Sequence, residues 1–530
     1  MTSTSPLSPS AHLDTFTRDH LPPPESWPVL AFDLPELHYP SRLNCADALL
    51  DRTIERHGAD RPCLITPSTQ WTYGRLAAEA DALAHVLTED YGIVPGNRVL
   101  LRGPNNPMMV ACWFAVVKVG AVVVTTMPLL KESELTAIGQ IARVDLSLCD
   151  DRFTTDLIAA DISPVATFSE LGERAGAHSD PFRSVDTAAD DVALLAFTSG
   201  TTGKPKATMH FHRDVLANAD TFSRHVLKPT ADDVFGCSPP LGFTFGLGME
   251  VVFPMRVGAS SLLLEKGTPD ILLPALAEHG VTVMATAPTA YRAMAAQLSD
   301  NDGLDLSSLR RCVSAGEPLP ESTWATWHDA TGLRLIDGIG STELLHIFIS
   351  AADEAARPGY TGVPVPGYMA AILDEDGATV PDGELGRLAV RGPTGCRYLA
   401  DPRQAEYVQH GWNITGDVYS RDADGYFRYH SRSDDMIISA GFNISGAEVE
   451  WALLTHPDVA ECAVVGVADD DRTMTVTAYV VAKPGAKLDE AAVIDHCRDR
   501  IAVYKKPRAV EFVDALPRTS TGKVQRYKLR

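Results

Sequence analysis

The hydrophobic and polar positions along the chain alternate between two periods, and this alternation predicts an α/β protein. The β-branched run Val122–Thr126 is typical of a buried parallel strand, whereas Pro107–Val119 has the apolar spacing of a helix. Alternating strands and helices favour layered sheets, in which ligands lie beyond the carboxyl ends of the strands. We therefore expect three loops to converge on one site: those after Phe197, Ser314 and Asp337.

The pattern changes twice towards the C-terminus. From Met369 to Val390 short alternating strands are separated by Gly, Asp and Pro, which predicts a small β subdomain. A new unit of helices and strands starts near Arg432 and has the usual size of a compact α+β domain. We therefore predict a large N-terminal domain of layered α/β sheets with its β subdomain at residues 1–432, and a small mobile α+β domain at 433–530. The proline-rich start, Met1 to about Ser41, is expected to be an extended arm on the large domain.

Composition narrows the classes of partner. The formal charge is −23, which argues against nucleic acid and anionic membrane surfaces because both need basic patches. Nine dispersed cysteines without a Cys-x-x-Cys pair suggest reduced thiols, and we see neither a signal peptide nor an apolar run of membrane-spanning length. We expect a cytoplasmic protein, a monomer or homodimer, in which a nucleotide would need a local cationic pocket.

The segment Ala196–Lys206 has the residues of an anion-binding loop. It follows an apolar run and contains Thr198, Ser199, Gly200, Thr201, Thr202, Gly203 and Lys204. Glycines let backbone N–H groups turn towards a polyphosphate, hydroxyl groups add donors, and lysines neutralise charge. It is not a Walker A loop, because two residues separate the glycines and a proline follows Lys204. Taken alone, the segment is also compatible with a flexible linker.

Two further segments follow predicted strands. Ser314–Pro318 contains Ala315, Gly316 and Glu317, small residues that would let a flat base lie against the backbone. Asp337–Glu343 contains Gly338 and Gly340, which permit close approach of a ligand, and ends in Thr342 and Glu343, whose oxygens suit magnesium shared with phosphates. Alone, the first is compatible with a plain turn and the second with a capped helix N-terminus.

These segments, in this order and spacing, resemble the adenylate-forming superfamily, which includes acyl-CoA synthetases, peptide-synthetase adenylation domains and luciferases. The resemblance runs from about Leu43 to Arg530. It implies ATP and Mg²⁺ as cofactors, with the Ala196–Lys206 loop on the phosphates, the Ala315 loop and Asp337 on the adenine side, Glu343 on the magnesium, and Thr342 on the phosphate.

Four C-terminal segments carry the rest of the resemblance. In Gly411–Asp417 the resemblance assigns Asp417 to the ribose hydroxyls, and in Ser431–Ile437 it assigns Arg432 to the ribose or phosphate and Asp434 to the hinge of the small domain. Gly441 and Phe442 resemble the loop lining the pantetheine path, which implies CoA as a further substrate. In Pro517–Val524, Lys523 matches the lysine that bridges the substrate carboxylate and the α-phosphate during adenylation. By contrast, His210-x-His212 is predicted to be a pair of packing residues, not a metal site.

The acyl pocket is expected between two of these segments. The predicted substrate-binding residues are Phe243, Thr244, Phe245, Gly246, Ile339, Gly340, His346 and Ile347. Together with Arg391–Tyr398 and the opening Pro9–Phe16, they look most like the benzoate/2-aminobenzoate-CoA ligase branch. The chain differs from benzoate ligases at two positions: Phe245 stands where those enzymes commonly have tyrosine, and Ile438 stands where they often have lysine. The resemblance therefore leaves the substituents on the ring of the acid undetermined. His346 would meet a polar substituent or simply pack.

The resemblance implies an ATP-dependent aryl-CoA ligase that adenylates an aromatic acid, 2-aminobenzoate or a close relative, and transfers it to CoA. A second reading keeps the adenylation and transfers the acyl group to the phosphopantetheine of a carrier protein. A third, a non-catalytic nucleotide-binding regulator, is disfavoured because Lys523, Glu343 and Asp417 are all present.

Overall fold

The computed structural model describes residues 7–162, 164–199, 205–300, 304–439, 442–469, 473–498, 500–519 and 522–530. Two large sheets form the body of the molecule. The first has six strands in the spatial order Val165–Thr167, Leu146–Cys149, Arg98–Arg102, Val122–Thr126, Val192–Ser199 and Pro205–Phe211. The strands are parallel except for the last, which pairs antiparallel with Val192–Ser199. The anion-binding segment therefore joins two antiparallel strands.

The second large sheet has nine strands. Their spatial order is Val363–Pro364, Ile347–Ser350, Leu335–Gly340, Arg311–Ala315, Val283–Thr286, Val234–Cys237, Ser260–Leu262, Pro62–Ile65 and Gln70–Thr72. The strands between Leu335–Gly340 and Pro62–Ile65 are parallel, and antiparallel strands close both edges. The carboxyl ends of Arg311–Ala315 and Leu335–Gly340 are therefore neighbours, which brings together the two segments predicted to hold the nucleotide.

Helices cover these sheets, and local sequence determines where several begin. The helix Pro107–Lys118 starts after Asn106, whose side-chain oxygen accepts a 2.9 Å hydrogen bond from the Met109 amide, and Pro107 suits the first helical position. The α-helices are Phe16–Asp19, Arg52–His57, Tyr73–Glu89, Pro107–Lys118, Glu132–Ala142, Thr154–Ala159, Phe168–Ala175, His212–Asn218, Thr244–Leu247, Phe253–Val257, Pro269–Glu278, Pro288–Asp300, Glu321–Thr331, Gln404–Tyr407, Gly446–Leu454 and Glu490–His496. Wider π-helical turns occur at Asp47–Asp51, Ala219–Leu227 and Gly248–Val252.

Two smaller sheets complete the fold. The antiparallel β subdomain consists of Met369–Leu373, Gly386–Arg391, Trp412–Arg421, Val408–Gln409 and Phe427–Arg432. The C-terminal sheet consists of Phe442–Ile444, Ile437–Ser439, Thr473–Ala482, Val459–Asp469 and Ala509–Phe512. The C-terminal sheet and its two helices have a buried core of their own, around Ile437, Val449 and Val480. We propose that the domains divide between the strand ending at Arg432 and this core.

The N-terminal arm is held along the large domain from both of its ends. Near its start, the Ala11 amide donates to Asp191 at 2.9 Å. Further along, the Ala31 amide donates to the Gly392 carbonyl, and the side-chain amide of Gln404 donates to the Ser26 carbonyl at 2.9 Å. The arm therefore braces the segment from Gly392 to Gln404, which enters the candidate site.

The predicted fold class is confirmed: layered α/β sheets, a β subdomain and a small α+β domain are all present. One strand has no counterpart in the sequence pattern. The proline at the start of Pro205–Phe211 and its position after a loop hide the β pattern of this strand. All nine cysteines are free thiols, and none of the described helices is both long and apolar enough to cross a membrane.

Candidate active site

One large cavity opens where the carboxyl ends of both large sheets meet the β subdomain and the small domain. Its volume is about 1660 Å³. Phe197 and Thr198, near the end of their strand, line it together with the loops after Ala315 and Gly340, as expected for the carboxyl ends of strands in α/β sheets. Residues of the small domain, including Lys523, form part of the wall.

The anion-binding segment reaches this cavity through its two strands. Thr198 lines the cavity and pairs in register with Lys206 on the returning strand. Gly200, Thr201, Thr202, Gly203 and Lys204 lie outside the described residues, and of Ser199 only the backbone is described. Their predicted phosphate contacts remain predictions.

Glu343 is at the centre of a buried ionic cluster. Its Oε1 atom accepts a 2.5 Å hydrogen bond from the Tyr398 hydroxyl and lies 3.2 Å from Lys206 Nζ. Lys206 also contacts the Tyr398 hydroxyl and lies over the ring, 4.4 Å from its centroid. Burial would raise the pKa of Glu343, but Lys206 and the Tyr398 hydroxyl outweigh it and hold this pKa below its usual value. Glu343 is therefore an ionised carboxylate facing the cavity.

The loop that carries Thr342 and Glu343 is fixed from behind. Because a carbonyl can only accept, His210 Nε2 carries the proton and donates to the Thr342 carbonyl at 2.8 Å. The Ser341 side chain accepts from the Leu344 amide, and Leu345 adopts a φ of 73° as the chain turns back. Burial lowers the pKa of His210 to about 4, so its ring is neutral at physiological pH. His212 is equally buried and contacts Cys45.

The residues that the resemblance predicts on the adenine side form one continuous wall, which we call the adenine-side wall. Ala315, Gly316, Glu317, Asp337 and Gly338 all line the cavity. Gly316 has a φ of 89° and open space where a side chain would begin, whereas a Cβ on Gly338 would lie 2.7 Å from Ile347 Cδ1. Burial raises the pKa of Glu317, although Arg518 from the small domain opposes the rise, and burial raises the pKa of Asp337.

The residues predicted to contact the ribose are paired across the β subdomain. Arg432 donates to the Asp417 carboxylate at 3.0 Å and to the Thr415 carbonyl at 3.1 Å, and both charged residues line the cavity. The Asp417 carboxylate raises the pKa of Arg432. Asp417 is thus a largely buried carboxylate, held by one guanidinium at the cavity wall.

An apolar recess extends from the cavity between the two large sheets. Of the predicted acyl-pocket residues, Phe243, Thr244, Phe245, Ile339, Gly340, His346 and Ile347 line the cavity. Gly246 does not line the cavity. It packs against the backbone near Pro240, and a Cβ at this position would lie 2.2 Å from the Pro240 carbonyl oxygen. Its predicted contact with substrate is therefore replaced by close backbone packing that shapes the recess.

His346 lies at the inner end of this recess. Its ring packs edge-on against Phe253, with centroids 4.5 Å apart, and also contacts Phe245 and Phe222. Burial lowers the pKa of His346 to about 3. Both ring nitrogens are buried among aromatic rings beside the Phe245 backbone, which acts to raise the pKa, and neither makes a hydrogen bond of ordinary geometry to the described residues. The imidazole is therefore neutral and poorly satisfied.

Lys523 enters the cavity from the small domain. Burial, followed by repulsion from Arg432, lowers its pKa, while Asp417, Glu317 and Glu343 act in the opposite direction. Its ammonium forms no ion pair with any described residue, although it stands among these three carboxylates. Asp434 lies in the single helical turn Ser433–Asp435 that joins the domains, with half of its side chain exposed (51%).

The predicted pantetheine loop is only partly described. Gly441 lies outside the described residues. Phe442 starts the strand Phe442–Ile444, and only its backbone is described.

The donor set at Glu343 fits a magnesium ion. Mg²⁺ prefers hard oxygen ligands, keeps several waters and shares phosphate oxygens, and the cluster offers one buried carboxylate whose charge is already stabilised. The Thr342 side chain lines the same part of the cavity. Glu343 would hold the ion, and Thr342 would contact the phosphate beside it.

Three residues of the site were not among those predicted to bind ligand: Tyr398, Tyr407 and His210. Lys206 belongs to the predicted anion-binding segment, and in the strand register it stands opposite Thr198. Tyr398 and Tyr407 come from a distant segment without strand or helix periodicity, so nothing in the local pattern indicates that they contact Glu343 and Lys206.

Comparison with known proteins identifies the family. The profile of the AMP-binding enzyme family matches residues 50–398, and that of the AMP-binding enzyme C-terminal domain matches residues 448–523. The chain belongs to this family of adenylate-forming acyl-CoA synthetases, and it is an AMP-forming acid–thiol ligase.

Three similar proteins are named as ligases of aromatic acids. It is 34% identical to a benzoate–CoA ligase of Thauera aromatica, over 94% of this chain and 97% of that one. The crystal structure of the anthranilate CoA ligase AuaEII in complex with anthranoyl-AMP superposes with a TM-score of 0.89 at 35% identity, covering 94% of this chain and 98% of that one. A benzoate CoA ligase from Burkholderia xenovorans LB400 superposes with a TM-score of 0.84 at 31% identity, covering 92% and 100%.

Proposed function

We propose that this chain is an ATP-dependent aryl-CoA ligase whose acid is 2-aminobenzoate or a close relative, with CoA as acceptor. The observation that carries the proposal is the meeting, in one cavity, of Lys523, the Glu343 cluster and an apolar recess lined by aromatic rings. The related benzoate and anthranilate ligases support the same class of acid.

In the first half-reaction, a carboxylate oxygen of the acid attacks the α-phosphate of ATP and pyrophosphate leaves. Two anions must meet at the reacting phosphorus, so a cation held between them stabilises the developing charge far better than water does. Two observations support Lys523 in that role: it lines the cavity, and it forms no ion pair with the described carboxylates. Asp417 would orient the ribose, and magnesium bound at Glu343 would neutralise the phosphates.

In the second half-reaction, the CoA thiol attacks the acyl carbon and AMP leaves. We infer that the small domain first turns about Asp434, which withdraws Lys523 and brings the Gly441 loop to the cavity. A hinge of a few residues that absorbs the change in backbone angles suits the single turn observed there. One cavity would then perform two reactions in succession.

His346 supports a ring with a polar substituent. A benzoate ring would fill the recess but leave the imidazole unsatisfied, whereas a 2-amino group can donate to its free nitrogen. An unsatisfied buried polar group costs about 1–3 kcal/mol. The recess therefore favours an amino- or hydroxybenzoate over benzoate by roughly five- to a hundredfold on that scale.

A pyrophosphate-release screen over benzoate, 2-aminobenzoate, salicylate and 3-hydroxy-2-aminobenzoate tests the acid. We expect the highest kcat/KM with 2-aminobenzoate. Release with none of the four would disprove the aryl-acid assignment.

A matched variant tests the role of His346. His346→Phe keeps a flat ring but removes both nitrogens, so kcat/KM for 2-aminobenzoate should fall towards that for benzoate while benzoate itself changes little. Equal loss with both acids would mean that His346 only packs.

The acceptor is tested separately. Acid and ATP are incubated with CoA or with a phosphopantetheinylated carrier protein, and thioester formation is compared. We expect thioester with CoA; formation only on the carrier would favour the alternative of a free-standing loading enzyme.

A further inference from the structure

Arg518 contacts three groups that belong to different parts of the active site. Its Nη1 atom donates to the Gly522 carbonyl at 2.5 Å, and its Nη2 atom donates to Glu461 at 2.7 Å within the small domain. The same Nη1 lies 3.7 Å from the Glu317 carboxylate of the large domain. The guanidinium is about a third exposed (29%), so it lies at the edge of the cavity where the two domains face each other.

The Gly522 contact fixes the turn that presents Lys523. Within this turn the Thr519 amide donates to the Lys523 carbonyl at 2.7 Å, and the Gly522 amide donates to the Thr519 carbonyl at 3.0 Å. Gly522 itself has a φ of 86°, a conformation that few side chains tolerate. Arg518 closes the turn from outside, one peptide unit from the residue whose ammonium enters the cavity.

The Glu317 contact fixes the orientation of the small domain. Glu317 belongs to the adenine-side wall, and among the described ion pairs this is the one that links a residue before the hinge turn Ser433–Asp435 to a residue after it. At 3.7 Å and partly exposed, such a pair is weak. It is therefore suited to a contact that must form and break in every catalytic cycle.

We propose that Arg518 is a positioning residue for adenylation: it seats the Lys523 turn and, through Glu317, favours the domain orientation that brings Lys523 to the reacting groups. The inference rests on the proposed function and concerns the first half-reaction only. When the small domain turns, the Glu317 contact is lost, while the contacts with Gly522 and Glu461 travel with the domain. A lysine at this position lacks the planar fork that serves three acceptors at once.

The test separates the two half-reactions. In Arg518→Gln, acid-dependent pyrophosphate release should fall by about 10- to 100-fold, because displacing a catalytic group by 1 Å can cost that much. Thioester formation from a preformed acyl-adenylate and CoA should stay within twofold of wild type. Arg518→Lys should recover part of the lost rate, and Glu317→Gln should slow pyrophosphate release by about two- to fivefold.

A matched control lies in the same domain. Arg498 pairs with Asp495 at 2.6 Å on the surface, so Arg498→Gln removes an arginine and an ion pair of the small domain away from the cavity and should change neither half-reaction. If Arg518→Gln slows both half-reactions equally, or neither, the proposal is overturned. If Arg518→Gln fails to fold, the comparison passes to Arg518→Lys, where a selective loss of pyrophosphate release supports the proposal and an equal loss of both rates overturns it.

Hydrogen–deuterium exchange supplies a readout that does not need activity. The amides of Thr519, Gly522 and Lys523 should exchange faster in Arg518→Gln than in wild type. Unchanged exchange overturns the proposal. If these amides exchange faster in the variant but the protein activates no aromatic acid, Arg518 still holds the Lys523 turn in place. The proposed function, and not the role of Arg518 in the turn, would then be wrong.

Discussion

Two lysines line the same cavity, and they differ in whether a carboxylate pairs with them. Lys206 comes from a strand of the large domain and is already engaged by Glu343, Tyr398 and the ring of Tyr407. Lys523 comes from a turn of the small domain and forms no ion pair with the described residues, although three carboxylates influence its pKa. The first cation has its anion in the resting protein, whereas the second is held without one.

The difference indicates which charge belongs to the ground state and which to the transition state. A cation that is already paired gains little when substrate arrives, so Lys206 maintains the ionised carboxylate that would receive magnesium. An unpaired cation gains most when new negative charge develops next to it. The contrast predicts that changes on the Lys523 side alter the rate of chemistry, whereas changes on the Lys206 side alter the binding of Mg-ATP.

Removing Lys523 should have the largest effect. In Lys523→Ala, pyrophosphate release should fall by about 10³-fold, the upper range for loss of one group that stabilises transition-state charge. The KM for ATP should change little, and CoA transfer from preformed adenylate should persist. Equal loss of both half-reactions would contradict the assignment.

Replacing Glu343 should have the next largest effect. In Glu343→Gln the magnesium ligand is lost and Lys206 remains as an unbalanced buried charge, so the Mg²⁺ concentration needed for half-maximal rate should rise by about a hundredfold. A magnesium titration at saturating ATP measures it. If kcat falls while the Mg²⁺ concentration for half-maximal rate stays the same, Glu343 acts in the chemical step, as proposed for Lys523, and does not bind magnesium.

Removing the Tyr398 hydroxyl should have a smaller effect of the same kind. Tyr398→Phe keeps the ring over Lys206 but deletes the hydrogen bond to Glu343, which is worth about 1.5–3 kcal/mol for a charged acceptor. The magnesium demand should rise by about tenfold or somewhat more. Tyr91→Phe, which removes a hydrogen bond to Glu170 away from the cavity, is the control and should leave it unchanged.

As the pH falls, the free energy of unfolding should decrease more for the large domain than for the small domain. Burial lowers the pKa of His210 to about 4 and the pKa values of His212 and His346 to about 3, from an ordinary 6.5. Below pH 6.5 these histidines bind protons in the unfolded chain but stay neutral in the folded chain. The stability that is present above pH 6.5 is therefore lost as the pH falls towards 4. The loss is about 1.4 kcal/mol per pH unit for each histidine.

Denaturant unfolding at pH 7.5 and pH 5.0 checks this effect domain by domain. Trp451 reports on the small domain, whose histidines His456 and His496 are partly exposed. Its transition should move less than that of the other tryptophans. Parallel movement of both transitions would mean that the domains unfold as one unit.

A strand or helix could be predicted from the sequence wherever its own residues show the hydrophobic pattern typical of that element. The run Val122–Thr126 is β-branched throughout and buried throughout, and it forms the predicted strand. Pro205–Phe211 carries no comparable signal because it is a strand only by virtue of its partner, Val192–Ser199. The nine-stranded order could not be predicted either, since Pro62–Ile65 joins Ser260–Leu262, nearly two hundred residues away.

The same distinction applies to the site. Motif resemblance predicts roles for Glu343, Asp417 and Lys523, because each stands in a short segment with several characteristic residues, and all three line the cavity. Tyr398 and Arg518 act through groups that are distant in sequence, Glu343 and Glu317 respectively. A single sequence gives no information on such pairs; only the folded chain brings them together.

The hydrogen bond between Ser26 and Gln404 spans 378 residues. During synthesis the stretch around Ser26 leaves the ribosome long before its partners around Gly392 and Gln404 are made. At a ribosomal speed of about 5–20 residues per second, it waits roughly 20–75 s for them. The start of the arm can dock once Asp191 has been made, whereas the stretch from Ser26 to Ala31, which includes Trp27, docks only when the large domain is nearly complete.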